Sequence, residues 1–289
     1  MKFCHITPVD HLDLVKGREA HLTLAHIVSG MEGTPEQQKK YCAFYAQEKL
    51  SNDNYINIMD NSAFELYKCQ MPMFNPEELL DLAKAVSATH IVLPDHPAHP
   101  SMVTIDDAKR YAPIFKEAGF GTFFVPQSDI GDLEDLITAF AWAASSPLID
   151  YIGISILAVP NAYRCEAGNK LQRFTARWKF MNELYDRNLL QLAAQNGKKI
   201  HFLGMVDGPN EISLVRDFHI DTWDSSAGVW AGLRGIGFDK SPTGLGAGKF
   251  EEHVDFSHKA EDNYNIELAQ KNVEYIDGLV DRYNRTERL

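Results

Sequence analysis

Residues 219–232 read HIDTWDSSAGVWAG, a short strand-like run that passes into a helix-like segment. Two carboxylates and two hydroxyls crowd the junction, on Asp221, Asp224, Ser225 and Ser226. Such a junction is either a solvated turn or part of an active site, because parallel strands bring the polar residues at their carboxyl ends together. The other strand-like segments of the chain help to decide between these two interpretations.

Six further runs resemble this strand in length and in their content of β-branched and aromatic residues. The seven candidate strands are HLTLAHIV (21–28), YINIMD (55–60), HIVLPD (90–95), GTFFVPQ (121–127), DYIGISI (150–156), KIHFLGMV (199–206) and HIDTWD (219–224). Amphipathic segments lie between most of them, such as IDDAKRYAPIFKEAG (105–119), whose apolar residues recur at helical spacing. Gly119 is the expected C-terminal cap of that helix.

Strands and helices that alternate at roughly 30-residue intervals predict a parallel sheet covered by helices. Seven or eight such units in about 250 residues favour an α/β fold of the (β/α)8 TIM-barrel type. An open doubly wound sheet is the alternative, but IVSGMEGTPEQ is a poor match to the Gly-rich turn that usually follows its first strand. No linker divides the chain, which predicts one domain over residues 1–289 with a helical insertion at 161–197.

The composition is that of an ordinary globular protein. Of 289 residues, 45% are hydrophobic and 24% are charged, which suffices for a large core without disulfides or metals. No apolar run reaches the roughly 18 residues of a membrane span, and the N-terminus lacks the apolar stretch of a signal peptide. A cytoplasmic protein without a membrane partner is expected.

Metal and cofactor sites have no recognisable signature. Cys4, Cys42, Cys69 and Cys165 form no CxxC pair and no cluster with histidine spacing, so we expect neither a zinc site nor another metal. The TGLGAG stretch is not followed by the GK[ST] of a phosphate-binding loop, and no cofactor is expected. The net charge of −12 argues against nucleic acid as a partner unless positive charge is concentrated locally.

Polar residues recur where the candidate strands end. They are Asp60, Asp95, Gln127 and Asp224, and in a barrel these ends converge on the catalytic face. A single aspartate at such a position is equally well explained as a cap for the next helix. Four polar residues at the ends of four candidate strands favour an active site over helix capping.

Five segments in this order resemble the queuine-type guanine transglycosylases, which are TIM barrels. They are IMDNSAFEL (58–66), VLPDHP (92–97), FFVPQ (123–127), HFLGMVDGPNE (201–211) and DTWDSSAGVWAG (221–232). The similarity is closer to the phage and bacterial branch that inserts 7-deazaguanines into DNA, the DpdA-like proteins. A phage-encoded member would act in the cytoplasm of an infected bacterium.

The resemblance implies roles for individual residues. Asp224 matches the nucleophile and Asp60 the general acid/base. Asp95 matches the aspartate that reads the edge of a guanine-like base, while Gln127 and Gly204 match the lining of the base pocket. Ser225 begins the turn after the nucleophile. Apart from the resemblance, Phe64 and Trp223 lie near these segments and could stack on a base, although core packing is the favoured explanation for each aromatic ring. The tRNA enzymes carry clustered cysteines near the C-terminus, whereas here none follows Cys165, so no zinc subdomain is expected.

Base exchange explains why such a site needs three carboxylates. Breaking the bond between sugar C1′ and a guanine nitrogen passes through an oxocarbenium-like transition state, as in glycoside hydrolysis. One carboxylate attacks C1′, and a second group with a different pKa manages the proton of each base. A third carboxylate can accept hydrogen bonds from the N1–H and 2-amino groups of guanine. The expected substrates are DNA, or alternatively tRNA, and a free 7-deazaguanine such as preQ0 or a relative.

Two segments could supply contacts to phosphates. The segment from Tyr163 to Arg187, with Arg187 included, contains six basic and three acidic residues. The Gly-rich stretch 233–250 carries three more basic residues. The candidates are Arg164, Lys170, Arg173, Arg177 and Lys179 in the first segment and Arg234, Lys240 and Lys249 in the second. A solvated helix face and a surface loop explain these charges equally well. A non-catalytic subunit that binds nucleic acid or a base, and an unrelated barrel hydrolase acting on sugars, are the functional alternatives.

Overall fold

The computed structural model describes residues 1–166, 168–206, 208–245 and 254–286. Within these residues there are eight strands, and seven of them overlap the segments predicted from the sequence. The strands are β1 Lys2–His5, β2 Ala20–Leu24, β3 Ile56–Asp60, β4 His90–Val92, β5 Gly121–Phe124, β6 Tyr151–Ser155, β7 Lys199–Leu203 and β8 Thr222–Ser225.

The strands form one parallel sheet that curls into a nearly closed barrel. Their order is β1-β8-β7-β6-β5-β4-β3-β2, and every hydrogen-bonded neighbour is parallel. The two strands at the ends of this order, β1 and β2, contact each other. With helices between the strands, the architecture is the (β/α)8 TIM barrel that the alternation predicts, and that prediction is confirmed.

Twelve α-helices and one 3-10 helix, Val9–Val15, accompany the barrel in the described part of the chain. The α-helices are α1 Ala25–Val28, α2 Pro35–Ser51, α3 Ala63–Lys68, α4 Pro76–Ala85, α5 Ser101–Glu117, α6 Leu133–Ser145, α7 Ala158–Ala162, α8 Lys170–Asp186, α9 Leu189–Gln195, α10 Glu211–Leu214, α11 Ala227–Leu233 and α12 Asn263–Arg285. None of these described helices has the length and apolar character needed to cross a membrane. Between β6 and β7, residues 161–197 carry α8 and α9.

The first strand is the element that the sequence prediction misses. β1 has four residues, too few for an alternating pattern, and it pairs with β8 at the other end of the chain. Burial of Phe3 and Cys4 between neighbouring strands identifies it as an integral part of the barrel. The predicted strand at 21–28 is shorter than expected, because its last four residues turn into α1.

Candidate active site

The carboxyl ends of the strands surround a cavity of about 390 Å³. A volume of this size lies in the range of small-molecule sites, roughly 300–1,000 Å³. All seven residues predicted for catalysis and base binding contribute to its lining: Asp60, Phe64, Asp95, Gln127, Gly204, Asp224 and Ser225. Trp223, by contrast, is fully buried and lies outside the cavity lining, so it offers no stacking surface there.

Asp224 is held by donors on the neighbouring strand and the loop that follows it. Its Oδ1 accepts hydrogen bonds from His201 Nε2 at 2.9 Å and from the Gly204 N–H at 3.2 Å. His201 is itself oriented by Thr222, whose Oγ1 lies 2.7 Å from Nδ1. Both contacts to Asp224 are made to one oxygen, and among the described residues Oδ2 has no hydrogen-bond partner. Asp224 can therefore be positioned through Oδ1 while Oδ2 attacks.

Asp60 lies at the end of β3, in a sharp turn. Its Oδ1 accepts the Ser62 N–H at 2.6 Å, and Ser62 has a left-handed φ of 60°. The turn is fixed from the other side, because Ser62 Oγ lies 2.8 Å from His26 Nδ1. Burial raises the pKa of Asp60 well above its ordinary range, and repulsion from Glu65 raises it further against the Ser62 hydrogen bond. A carboxyl group with such a raised pKa can hold and deliver a proton.

Asp95 anchors a polar cluster on the wall formed by β3 to β5. Asn61 Nδ2 donates to its Oδ1 at 2.8 Å, and Gln127 Nε2 donates to its Oδ2 at 2.5 Å. Burial raises the pKa of Asp95 even though both hydrogen bonds oppose the shift. The Oε1 atom of Gln127 is buried without a hydrogen-bond partner among the described residues. Because an unsatisfied buried acceptor is costly, this atom is suited to accept an N–H from a ligand.

Three residues of the site were missed by the sequence analysis: Asn61, Glu65 and His201. Asn61 and Glu65 lie within the IMDNSAFEL segment, and both line the cavity. Burial raises the pKa of Glu65, and attraction to His26 partly opposes that shift. The signal for His201 is a polar residue within the otherwise apolar KIHFL strand, where an inward position must be hydrogen-bonded.

The basic residues predicted to contact phosphates differ in whether they line the cavity. Arg173 lines the cavity. The exposed candidates lie outside that lining: Arg164, Lys170, Lys179, Arg234 and Lys240. Lys249 lies outside the described residues.

The prediction is wrong for Arg177. Its side chain is fully buried in a two-pronged ion pair, with Nε 2.8 Å from Glu211 Oε1 and Nη2 2.6 Å from Oε2. An arginine enclosed in this way cannot reach a phosphate. It lies on the inward face of α8 beside Ala176 and Phe180, which are also buried.

Among the described residues, no three His, Cys, Asp or Glu side chains are grouped so that they could hold a metal ion. No protein-family model matches this chain, and no curated protein matches it either. A function for the cavity is therefore inferred from the residues that line it.

Proposed function

We propose that this protein is a DNA guanine transglycosylase, which exchanges guanine for a 7-deazaguanine such as preQ0 or a relative. The observation that carries the proposal is that one cavity contains three aspartates in different environments. Asp224 is held by N–H donors, Asp60 has a strongly raised pKa, and Asp95 is joined to an amide. These environments suit a nucleophile, a proton carrier and a base-recognition group, respectively.

The reaction follows from these environments. The Asp224 carboxylate attacks sugar C1′ while the bond from C1′ to the guanine nitrogen breaks, and protonated Asp60 gives its proton to the departing base. An incoming 7-deazaguanine then returns a proton to Asp60 as its ring nitrogen attacks C1′ and displaces Asp224. Two displacements retain the configuration at C1′, as in retaining glycosidases. The base has to leave the DNA stack to enter such a cavity.

Base recognition is assigned to Asp95 and Gln127. Guanine and the 7-deazaguanines present N1–H and a 2-amino group on one edge, which calls for acceptors on the protein. The Asp95 carboxyl group and the unpartnered Gln127 Oε1 are both acceptors. The hydrogen bond from Gln127 Nε2 to Asp95 Oδ2 holds the two side chains together on one wall of the cavity.

Asp95→Asn is expected to weaken binding of free guanine by about 10- to 100-fold, the effect of removing one charged hydrogen bond. Hypoxanthine lacks the 2-amino group, so we expect it to bind wild-type protein more weakly than guanine, with a smaller difference in the variant. Calorimetric titration of both bases measures this. Asp107→Asn is the control, because Asp107 pairs with His96 at 2.7 Å outside the cavity lining. Equal guanine affinity in wild type and Asp95→Asn would refute the assignment.

Arg173→Gln is expected to weaken DNA binding and flatten its salt dependence. Each phosphate interaction that a substitution removes lowers the slope of log affinity against log salt by about 0.9 for duplex DNA or about 0.7 for a single strand. Lys109→Gln is the control, since Lys109 pairs with Asp106 on the exposed side of α5. A slope that is the same in Arg173→Gln as in wild type would exclude Arg173 as a phosphate ligand.

The proposal is tested by incubating the protein with labelled guanine and either DNA or tRNA. Label that enters DNA supports it, whereas label that enters only tRNA assigns the same chemistry to the other nucleic acid. Sugar hydrolysis without base incorporation would identify a hydrolase. Binding of base or DNA with no label transfer would identify a non-catalytic subunit.

A further inference from the structure

Arg177 uses all of its hydrogen-bonding capacity inside the protein. Besides its two bonds to Glu211, Nη1 donates to Ile154 O at 3.1 Å and Leu203 O at 2.8 Å, and Nη2 donates to Gly204 O at 2.7 Å. The five N–H donors of a guanidinium group are thus matched by five acceptors. Its planar group also lies over the rings of Phe202 and Trp223, at 4.8 and 5.1 Å from their centroids.

Stability alone is a weak reason for such an arrangement. Desolvating two charges is costly, and well-packed apolar residues often replace a buried ion pair without loss of stability. The acceptors point to orientation instead, because three of the five are backbone carbonyls at the carboxyl end of the barrel. Glu211 adds to this, since its Oε2 also accepts the Val206 N–H at 3.3 Å. The ion pair therefore holds the loop that follows β7.

We propose that Arg177 is a positioning residue for the nucleophile. The Leu203–Gly204 peptide is planar, so its C=O and N–H point in opposite directions. Arg177 holds the Leu203 carbonyl at 2.8 Å, and the N–H of the same peptide meets Asp224 Oδ1 at 3.2 Å. This inference rests on the proposed function, in which Asp224 attacks the sugar.

The following peptide is restrained in the same way. The Gly204 carbonyl accepts Trp223 Nε1 at 2.7 Å in addition to Arg177. Residue 204 has a φ of +67°, and a Cβ there would lie 2.9 Å from Ile156 Cδ1, so only glycine fits without strain. Arg177 thus restrains both peptides around this glycine, and loss of Arg177 removes the side-chain hydrogen bond to the Leu203 carbonyl that directs the Gly204 N–H at Asp224.

The first arm of the test observes the peptide directly. Labelling leucine with ¹³C at the carbonyl and glycine with ¹⁵N selects the Leu–Gly peptides, of which the chain has two, at 203–204 and 245–246. In wild type, Asp224→Asn should move the Gly204 amide proton signal, because the acceptor loses its charge. Arg177→Met should move the same signal and make it insensitive to Asp224→Asn. A Gly204 signal unchanged in Arg177→Met would overturn the proposal.

The second arm measures catalysis. Loss of one oriented donor costs about 10²–10³-fold in well-aligned sites, so the longer hydrogen bond here predicts a fall in kcat of at least about tenfold for Arg177→Met. The Kd for free guanine should change much less than kcat, because the recognition groups Asp95 and Gln127 lie on another wall of the cavity. An unchanged kcat in a variant whose Gly204 signal has moved would also overturn the proposal.

Arg18→Met is the matched control. Arg18 makes a two-pronged pair with Asp277, at 2.9 and 2.7 Å, and it precedes β2 at the amino end of the barrel. This variant removes a two-pronged arginine–carboxylate pair that lies away from the cavity, so the Gly204 signal and kcat should stay unchanged. An equal fall in kcat would reduce Arg177 to a structural role and overturn the proposal.

If Arg177→Met fails to fold, Arg177→Lys replaces it, because lysine keeps a charge but offers three donors in place of five. The Gly204 amide signal and kcat of Arg177→Lys then decide the proposal in the same way. Wild-type protein without exchange activity would refute the proposed function, whereas the Gly204 signal would still decide the orientation of the peptide. The two failures are therefore distinguishable.

Discussion

Asp224→Asn is expected to lower the rate of base exchange by about 10⁴-fold or more while the protein stays folded. An amide does not attack C1′ as a carboxylate does, so the covalent step has no nucleophile. The fold should persist because the amide side chain keeps an oxygen that can still accept from His201 and Gly204, the two donors in the structure. Labelled guanine incorporation into DNA and a thermal unfolding curve measure the two effects.

A residue beside the same strand provides a control for this prediction. Asp221 immediately precedes β8 and accepts the Ile200 N–H at 2.8 Å, at the end of the barrel opposite the cavity. Asp221→Asn preserves that acceptor and should retain wild-type exchange. Normal turnover by Asp224→Asn, or an equal loss in Asp221→Asn, would contradict the assignment of the nucleophile.

Asp60→Asn is expected to reduce exchange by about 10²–10⁴-fold and at the same time to raise stability at neutral pH. The activity falls because an amide cannot carry the proton to and from the bases. Stability rises because the pKa of Asp60 is higher in the folded than in the unfolded protein, so folding of the wild type becomes less favourable as pH increases through the interval between the two values. The Ser62 N–H retains an acceptor in the variant.

Thermal unfolding as a function of pH tests the stability part. The gain from Asp60→Asn should be absent below the unfolded pKa of the carboxyl group and should grow as pH rises. Asp150 provides the opposite case: burial raises its pKa, but hydrogen bonds from Lys116 and the Thr122 N–H outweigh that effect and lower it. Asp150→Asn should therefore cost stability above the unfolded pKa. Destabilisation by both variants at neutral pH would contradict the raised pKa of Asp60.

The fold was predictable because strand-like and helix-like segments alternate along the chain, and each can be recognised from its own residues. Several of the predicted strands are apolar runs that end in a polar residue, and parallel strands bring those ends together, so Asp60, Asp95, Gln127 and Asp224 share one cavity. The four-residue β1 gave no such signal, because its assignment depends on pairing with β8 across the whole chain.

Arg177 shows how a charge count can mislead. Its segment is basic overall, which suggested a solvent-facing cation. Helical spacing contradicts that interpretation, because Ala176, Phe180 and Leu184 are buried on the same face of α8 as Arg177. The acceptors that satisfy the arginine come from β6, the end of β7 with the loop after it, and α10, and no local pattern brings these together. Burial and hydrogen-bond satisfaction are properties of the folded chain alone.

In the proposed mechanism, Asp224 forms a covalent bond to the sugar during base exchange. The most direct measurement is the intact mass of wild-type protein mixed with a guanine-containing DNA oligonucleotide and then denatured. We predict a species with the combined mass of protein and DNA minus one neutral guanine, absent when Asp224→Asn replaces wild type. Active protein that exchanges labelled guanine into DNA without this species, or an Asp224→Asn variant that forms it equally, would contradict the mechanism.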